Sequence, residues 1–112
     1  MIQHASIDDS TLFERITRHD AEAFGIVMRR YAGALYAFAF RIVGDTLAAE
    51  DIVQDLFATM WEKKMRFLSL PSFRTYLYNS IRNASLNYLK HQNVESLYLE
   101  RLASTYREIT EE

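Results

Sequence analysis

Cysteine is absent from the 112-residue sequence, proline occurs once, as Pro71, and glycine three times, as Gly25, Gly33 and Gly44. Without cysteine there is no disulfide framework, no thiolate zinc site and no thiol nucleophile, which suits a reducing compartment. So few glycines leave no phosphate-cradling loop and no nucleophile elbow. No run approaches the roughly 20 uninterrupted apolar residues of a membrane span, and residues 1–9 have neither a basic start nor an apolar core. The reading is a cytoplasmic chain without membrane insertion. Strand signals are missing as well: Val, Ile and Thr nowhere alternate with polar residues, and no turn dipeptide joins two candidate strands. Histidine is scarce and scattered. His4, His19 and His91 stand in no ligand motif of the His-Glu-x-x-His kind, so no metal site, no cofactor and no catalytic constellation is expected. His19 beside Asp20 reads as a helix-entry pair, and Glu50, Asp51 and Asp55 as carboxylates on a solvated helix.

What is there fits one soluble domain. Hydrophobic residues make up 49%, and 13 Lys and Arg stand against 15 Asp and Glu for a net charge of −2. A chain of this size buries roughly two-thirds of its surface, enough for one core and not for two. The near-neutral total conceals a sharp segregation. Between Arg41 and Lys63 every charged residue is acidic: Asp45, Glu50, Asp51, Asp55 and Glu62. From Lys63 to Val94 every one is basic: Lys63, Lys64, Arg66, Arg74, Arg82 and Lys90. The two ends are acidic again. Phe67, Phe73, Tyr76, Tyr78 and Tyr88 are interleaved with those cations, as are Asn79, Asn83, Asn87 and His91. Cations hold phosphates, flat rings stack on unpaired bases and amides read base edges, so the segment suits a nucleic-acid surface. The alternative is a solvated helix face whose rings belong to the core.

The apolar spacing is helical throughout. A short first helix over about Ser10–Arg18 is capped by Asp9 or Ser10, with Leu12, Phe13 and Ile16 on one side. A second runs over Ala21–Val43, capped by Asp20 and closed by Gly44. Its stripe is Phe24, Val27, Met28, Tyr31, Leu35, Phe38, Ala39 and Ile42. Gly33, between two alanines, is expected to mark a close helix crossing. A third starts at Asp45 or Thr46 and continues to about Lys64, burying Val53, Leu56, Phe57 and Met60 and turning Asp51, Gln54, Asp55, Ala58 and Glu62 outward. Met65–Pro71 reads as a loop. A fourth helix from Pro71–Ser72 to about His91 directs Phe73, Leu77, Ile81, Ala84, Tyr88 and Leu89 inward. Arg74, Thr75, Tyr78, Asn79, Arg82, Asn83, Asn87 and Lys90 stay outside. A separate last helix spans about Val94–Ile109 with a thin apolar stripe. The expected architecture is all-α, a compact bundle of three main helices with a short N-terminal helix and a C-terminal linker helix.

Two stretches carry a family resemblance. Ala49-Glu50-Asp51-Ile52-Val53-Gln54-Asp55-Leu56-Phe57, followed by Met60-Trp61, precedes Ser72-Phe73-Arg74-Thr75-Tyr76-Leu77-Tyr78, then Ile81-Arg82-Asn83 and Leu86-Asn87-Tyr88-Leu89-Lys90. In order and spacing these resemble region 2 of bacterial RNA polymerase sigma factors of the extracytoplasmic-function class. Ala23-Phe24, Tyr31 and Gly44-Asp45 fit the same family, so the resemblance spans about Asp9 to His91. It implies a sigma domain over residues 1–92 and, over 93–112, a linker helix toward a C-terminal helix-turn-helix domain that this sequence does not contain. It implies a non-enzymatic subunit that docks on the coiled coil of the largest core polymerase subunit through Asp51, Gln54, Asp55, Ala58 and Trp61. It also implies that the promoter minus-ten element is recognised and melted on its non-template strand. Lys63, Lys64, Arg66, Arg74, Arg82 and Lys90 would hold phosphates, Asn79, Asn83 and Asn87 read bases, and Phe67, Tyr76 and Tyr78 stack or wedge. Tyr76 stands where much of the family has Trp, which leaves packing as an equal reading; Phe57 and Trp61 are likewise open to a core role. An anti-sigma factor is a further implied partner. The rival expectation is a sigma-like protein-binding helical module that docks without opening DNA.

Overall fold

The computed structural model describes residues 7–63 and 67–110. It holds four helices: α1 (Asp9–Thr17), α2 (Ala21–Val43), α3 (Thr46–Glu62) and α4 (Leu70–Thr110). Among the described residues there is no strand, and the chain is all-α.

Three of the helix starts share one device. Asp8, Asp20 and Asp45 each stand in extended backbone before α1, α2 and α3 and accept the amide three residues on, from Thr11, Ala23 and Ala48. Each satisfies one of the orphan N–H groups of a first turn. The cap of α1 is therefore Asp8 rather than the expected Asp9 or Ser10, because Asp9 is drawn into contacts with α2 and α4 described below. Gly44 closes α2 at φ 68°, donating its N–H to Phe40 O at 2.8 Å. Glycine takes this left-handed position without a Cβ penalty.

His19 does the same at the end of α1 with a full side chain, at φ 61°. Its N–H donates to Ile16 O at 2.8 Å and that of Asp20 to Arg15 O at 3.2 Å, the paired bonds of a Schellman ending. Between α3 and α4, Ser69 Oγ accepts the Ser72 N–H at 3.2 Å, so α4 starts at Leu70, just before the expected Pro71–Ser72. Pro71 then sits in the first turn, where a missing N–H leaves no bond unmade.

α2 is the spine, packed along α1, α3 and α4. The core joins Leu12 and Ile16 of α1, Ala23, Ile26, Val27, Met28, Leu35, Ala39 and Val43 of α2, Ala49, Val53, Leu56 and Met60 of α3, and Phe73, Leu77 and Ile81 of α4. Phe57 is half-buried beside it. The expected inward residue Ala84 is exposed, and Ser85 is fully buried in its place. The i, i+4 row Phe73, Leu77, Ile81, Ser85 is what meets the bundle, and a hydroxyl hides the fourth step of that row from a hydropathy reading. Gly33 is not at a helix crossing: it is exposed, and a Cβ built on it would meet nothing within 4 Å.

The separate last helix is also corrected. α4 runs unbroken for 41 residues, about 61 Å at 1.5 Å per residue. No Gly or Pro lies between His91 and Val94 to interrupt the ladder. Every described residue from Lys90 to Ile109 is exposed, so the far half of α4 leaves the bundle.

Candidate functional site

The segregated charge of the sequence becomes two separate faces. On α3, Asp51, Gln54, Asp55 and Ala58 are all exposed and, at spacings of three and four residues, lie on one side of the helix. Glu50 and Glu62 extend the acidic character along it. Carboxylates flanking an amide in this arrangement present acceptors to cationic side chains of a partner. Beside them the α2–α3 seam holds a mostly apolar groove of about 330 Å³, lined by Met28, Ala32, Tyr36, Val53 and Phe57 together with Arg29, Glu50 and Gln54.

Trp61, expected on this docking face, is half-buried against its own chain. His19 stacks on the indole with ring centroids 3.8 Å apart and 12° between planes, and Phe24 tilts against it at 5.0 Å. The left-handed backbone of His19 aims its ring at Trp61, and the stack offsets part of that conformation's cost.

The other face belongs to α4. Asn79, Arg82, Asn83, Asn87 and Lys90 are exposed opposite the Phe73, Leu77, Ile81 row. Amides and cations there have no competing core partner, a surface suited to phosphates and base edges. Lys63 is exposed at the C-terminal end of α3, the near side of the loop to α4. Lys64 and Arg66 lie outside the described residues.

Four of the predicted nucleic-acid residues make contacts within the bundle: Phe67 and Tyr76 are half-buried, while Arg74 and Tyr78 stay exposed. Phe67 is half-buried, its ring 5.2 Å from Phe73 and 5.1 Å from Tyr76. Tyr78 meets the edge of Phe38 at 5.5 Å. Arg74 donates Nε to the Tyr31 hydroxyl at 2.6 Å and Nη2 to Asp9 Oδ2 at 2.8 Å. Asp9 also accepts from Arg30 at 3.1 Å. Burial pushes the Asp9 carboxyl up, but the bonds from Arg74 and Arg30 outweigh it and hold the group below its ordinary value of 3.8.

Two features escaped the sequence reading. The Asp9, Arg30, Tyr31, Arg74 cluster joins residues up to 65 positions apart, which no local spacing signals. Leu68 stands fully exposed in the loop before α4. An isolated apolar residue just after a basic run and before a Ser cap was the available signal for it.

The family model of Sigma-70 region 2 matches residues 27–94, more than half of the chain. The chain belongs to the sigma-70 region 2 family. Among curated proteins, the RNA polymerase sigma-H factor of Pseudomonas aeruginosa is 30% identical over 81 residues, covering 72% of this chain and 42% of that protein. The chain thus spans less than half the length of the relative it matches. No solved structure matches it. The matched region starts within α2, takes in all of α3 and its acidic face, and ends at Val94, where α4 has already left the bundle. α1 and the far end of α4 lie outside it.

Among the described residues no three His, Asp or Glu side chains come together as a metal site. No helix among them is long and apolar enough to cross a membrane.

Proposed function

We propose that this sigma region 2 chain acts in transcription initiation by binding, without chemistry of its own. The outward face of α3 docks on a coiled coil of core RNA polymerase, and α4 with the loop before it takes the non-template strand of the promoter minus-ten element and melts it. One observation carries this reading: within a single family match, an acidic face on α3 and an amide-rich basic face on α4 point to different partners.

For the acidic face, Asp51, Gln54, Asp55 and Ala58 supply acceptors and close approach, while Trp61 braces the end of the helix against His19. For α4, Arg82 and Lys90 hold phosphates and Asn79, Asn83 and Asn87 read bases, Asn83 being the central candidate. Opening a duplex needs only a surface that favours the unpaired strand over the paired one. The assignment to the extracytoplasmic-function class and action in the cytoplasm beside polymerase belong to the same reading. An anti-sigma factor is a further proposed partner.

A second reading keeps the docking and drops the DNA. The half-buried rings of Phe67 and Tyr76 favour it, since they take two stacking candidates off the free surface, and the exposed Arg74 already pairs with Asp9. Neutralising Lys63, Arg82 and Lys90 together separates the two. The first reading expects promoter opening to fall while binding to core polymerase holds; a protein-docking module expects neither to change.

A further inference from the structure

Four side chains from three helices meet where α1 approaches the start of α4. Asp9 Oδ1 accepts from Arg30 Nη1 at 3.1 Å, and Asp9 Oδ2 accepts from Arg74 Nη2 at 2.8 Å. The Tyr31 hydroxyl takes the Arg74 Nε proton at 2.6 Å and lies 3.4 Å from Asp9 Oδ2. Two guanidinium groups and a phenol thus surround one carboxylate, and the Asp8 carboxylate acts on Arg30 from beside them. Two cations and a hydroxyl around an anion are also the donor set that holds a phosphate. Arg74 is the most open member, with 47% of its side chain exposed against 31% for Asp9 and 26% for Arg30. Asp9 is not needed as a helix cap, because Asp8 fills that role. Its carboxylate faces the two arginines and the Tyr31 hydroxyl instead.

We propose that Arg30, Tyr31 and Arg74 form a phosphate site and that Asp9 is its built-in occupant, so that a nucleic-acid phosphate engages Arg74 by displacing the carboxylate of α1. This rests on the reading of α4 as a nucleic-acid face and adds a restraint to it. Arg82 lies two helical turns beyond Arg74, about 12 Å along the axis, so a strand following the exposed side of α4 reaches the cluster at one end. α1 then acts as a competitor for that end of the strand, weakening binding until the carboxylate swings away.

Asp9→Asn keeps the shape and an acceptor while removing the competing charge. Asp45→Asn is the control: it removes the same charge from the cap of α3, outside this cluster, and Asn caps a helix as well as Asp does. Two probes are titrated into the full chain, inorganic phosphate followed by thermal shift and a single-stranded oligonucleotide followed by fluorescence anisotropy. Asp9→Asn is expected to tighten both by roughly threefold to tenfold, the effect of one nearby unit charge at a protein surface. Asp45→Asn is expected to change either by less than about twofold. The gain disappears in the double variant Asp9→Asn with Arg74→Gln.

The proposal is overturned if Asp9→Asn responds to phosphate no more than Asp45→Asn, or if its gain survives loss of Arg74. A gain for phosphate without one for the oligonucleotide overturns it as well, because the strand on α4 then does not reach Arg74, while an oligonucleotide that binds none of these chains removes the nucleic-acid reading of α4 itself. Circular dichroism checks folding, and Asp9→Ser replaces Asp9→Asn if that variant is not folded at the titration temperature.

Discussion

Asp8, Asp9 and Ser10 are all competent to cap a helix, and only tertiary partners decide among them. Asp8 takes the Thr11 amide, which frees Asp9 for Arg30 and Arg74. Both carboxyls are held below their ordinary value of 3.8, Asp8 chiefly by its bonds from Thr11 and Asp9 by the two arginines against its own burial. Asp20 is lowered too, by Arg15 and the Ala23 amide. A carboxyl with a depressed folded pKa contributes stability that is complete above 3.8 and is lost as pH falls through the depressed value. Urea melts between pH 6 and pH 2 are therefore expected to show stability constant at the upper end and falling below about pH 4. The deficit of Asp9→Asn relative to wild type should shrink over the same acid range; a deficit independent of pH would contradict the ion-pair account. Ser85 presents the opposite case, a fully buried hydroxyl with no hydrogen-bonding partner among the described residues. Burying such a group unpaired costs about 1–3 kcal/mol. Ser85→Ala is expected to leave stability unchanged or raise it by about 1 kcal/mol in chemical denaturation, and a loss of that size would mean that the hydroxyl is bonded in solution.

The elements were legible wherever local chemistry settles the boundary. Asp20, the α2 apolar stripe and Gly44 fix both ends of α2 because the cap, the periodicity and the left-handed closure agree. The end of α1 was less readable, since the left-handed position falls on His19 rather than on Gly, and the ring's partner, Trp61, lies 42 residues away. α4 was misread at its second half because the thinning of the apolar stripe after Leu89 looks like a boundary, while helix propensity alone carries the backbone through. Gly33 was misread because a small residue flanked by alanines suggests close approach, whereas its surroundings are open. Gly33→Ala is accordingly expected to stabilise the chain by about 1 kcal/mol, the helix-propensity difference with no steric charge against it. An unchanged or lowered midpoint would mean that something packs on that side of α2. On α3 the candidate interface is separable from the core: Asp51 and Asp55 are exposed, and neither makes a side-chain contact that the bundle depends on for its core packing. Asp51→Arg with Asp55→Arg is expected to keep the helical circular dichroism signal and weaken binding to core polymerase at least tenfold, given the strength of close charge pairs at interfaces. Loss of the helical signal would show that these residues are structural.

At the scale of the whole molecule, one short chain keeps opposite charges apart by assigning them to neighbouring helices. The net charge of −2 would predict little attraction to nucleic acid, yet every charged residue from Lys63 to Lys90, along the near half of α4 and the loop leading to it, is basic. Such a local patch predicts binding to single strands that weakens steeply as salt rises, with a slope set by the few phosphates engaged. The candidate site was legible as to which helix faces which way, since segregation of charge and helical periodicity are both sequence properties. It was not legible as to which side chains are free. Phe67, Arg74 and Tyr78 sit in the right segment and pack on Phe73, Asp9, Tyr31 and Phe38 through contacts that only the folded bundle creates.

The central claim, two faces with two partners, is tested most directly by titrating labelled single strands of varied minus-ten sequence with this chain, in the presence and absence of core RNA polymerase. Binding is expected to depend on sequence and to strengthen with polymerase, to lose that strengthening in the Asp51→Arg, Asp55→Arg variant, and to lose its sequence preference in Asn83→Ala. Binding to polymerase with no preference among strands in any of these chains would contradict it.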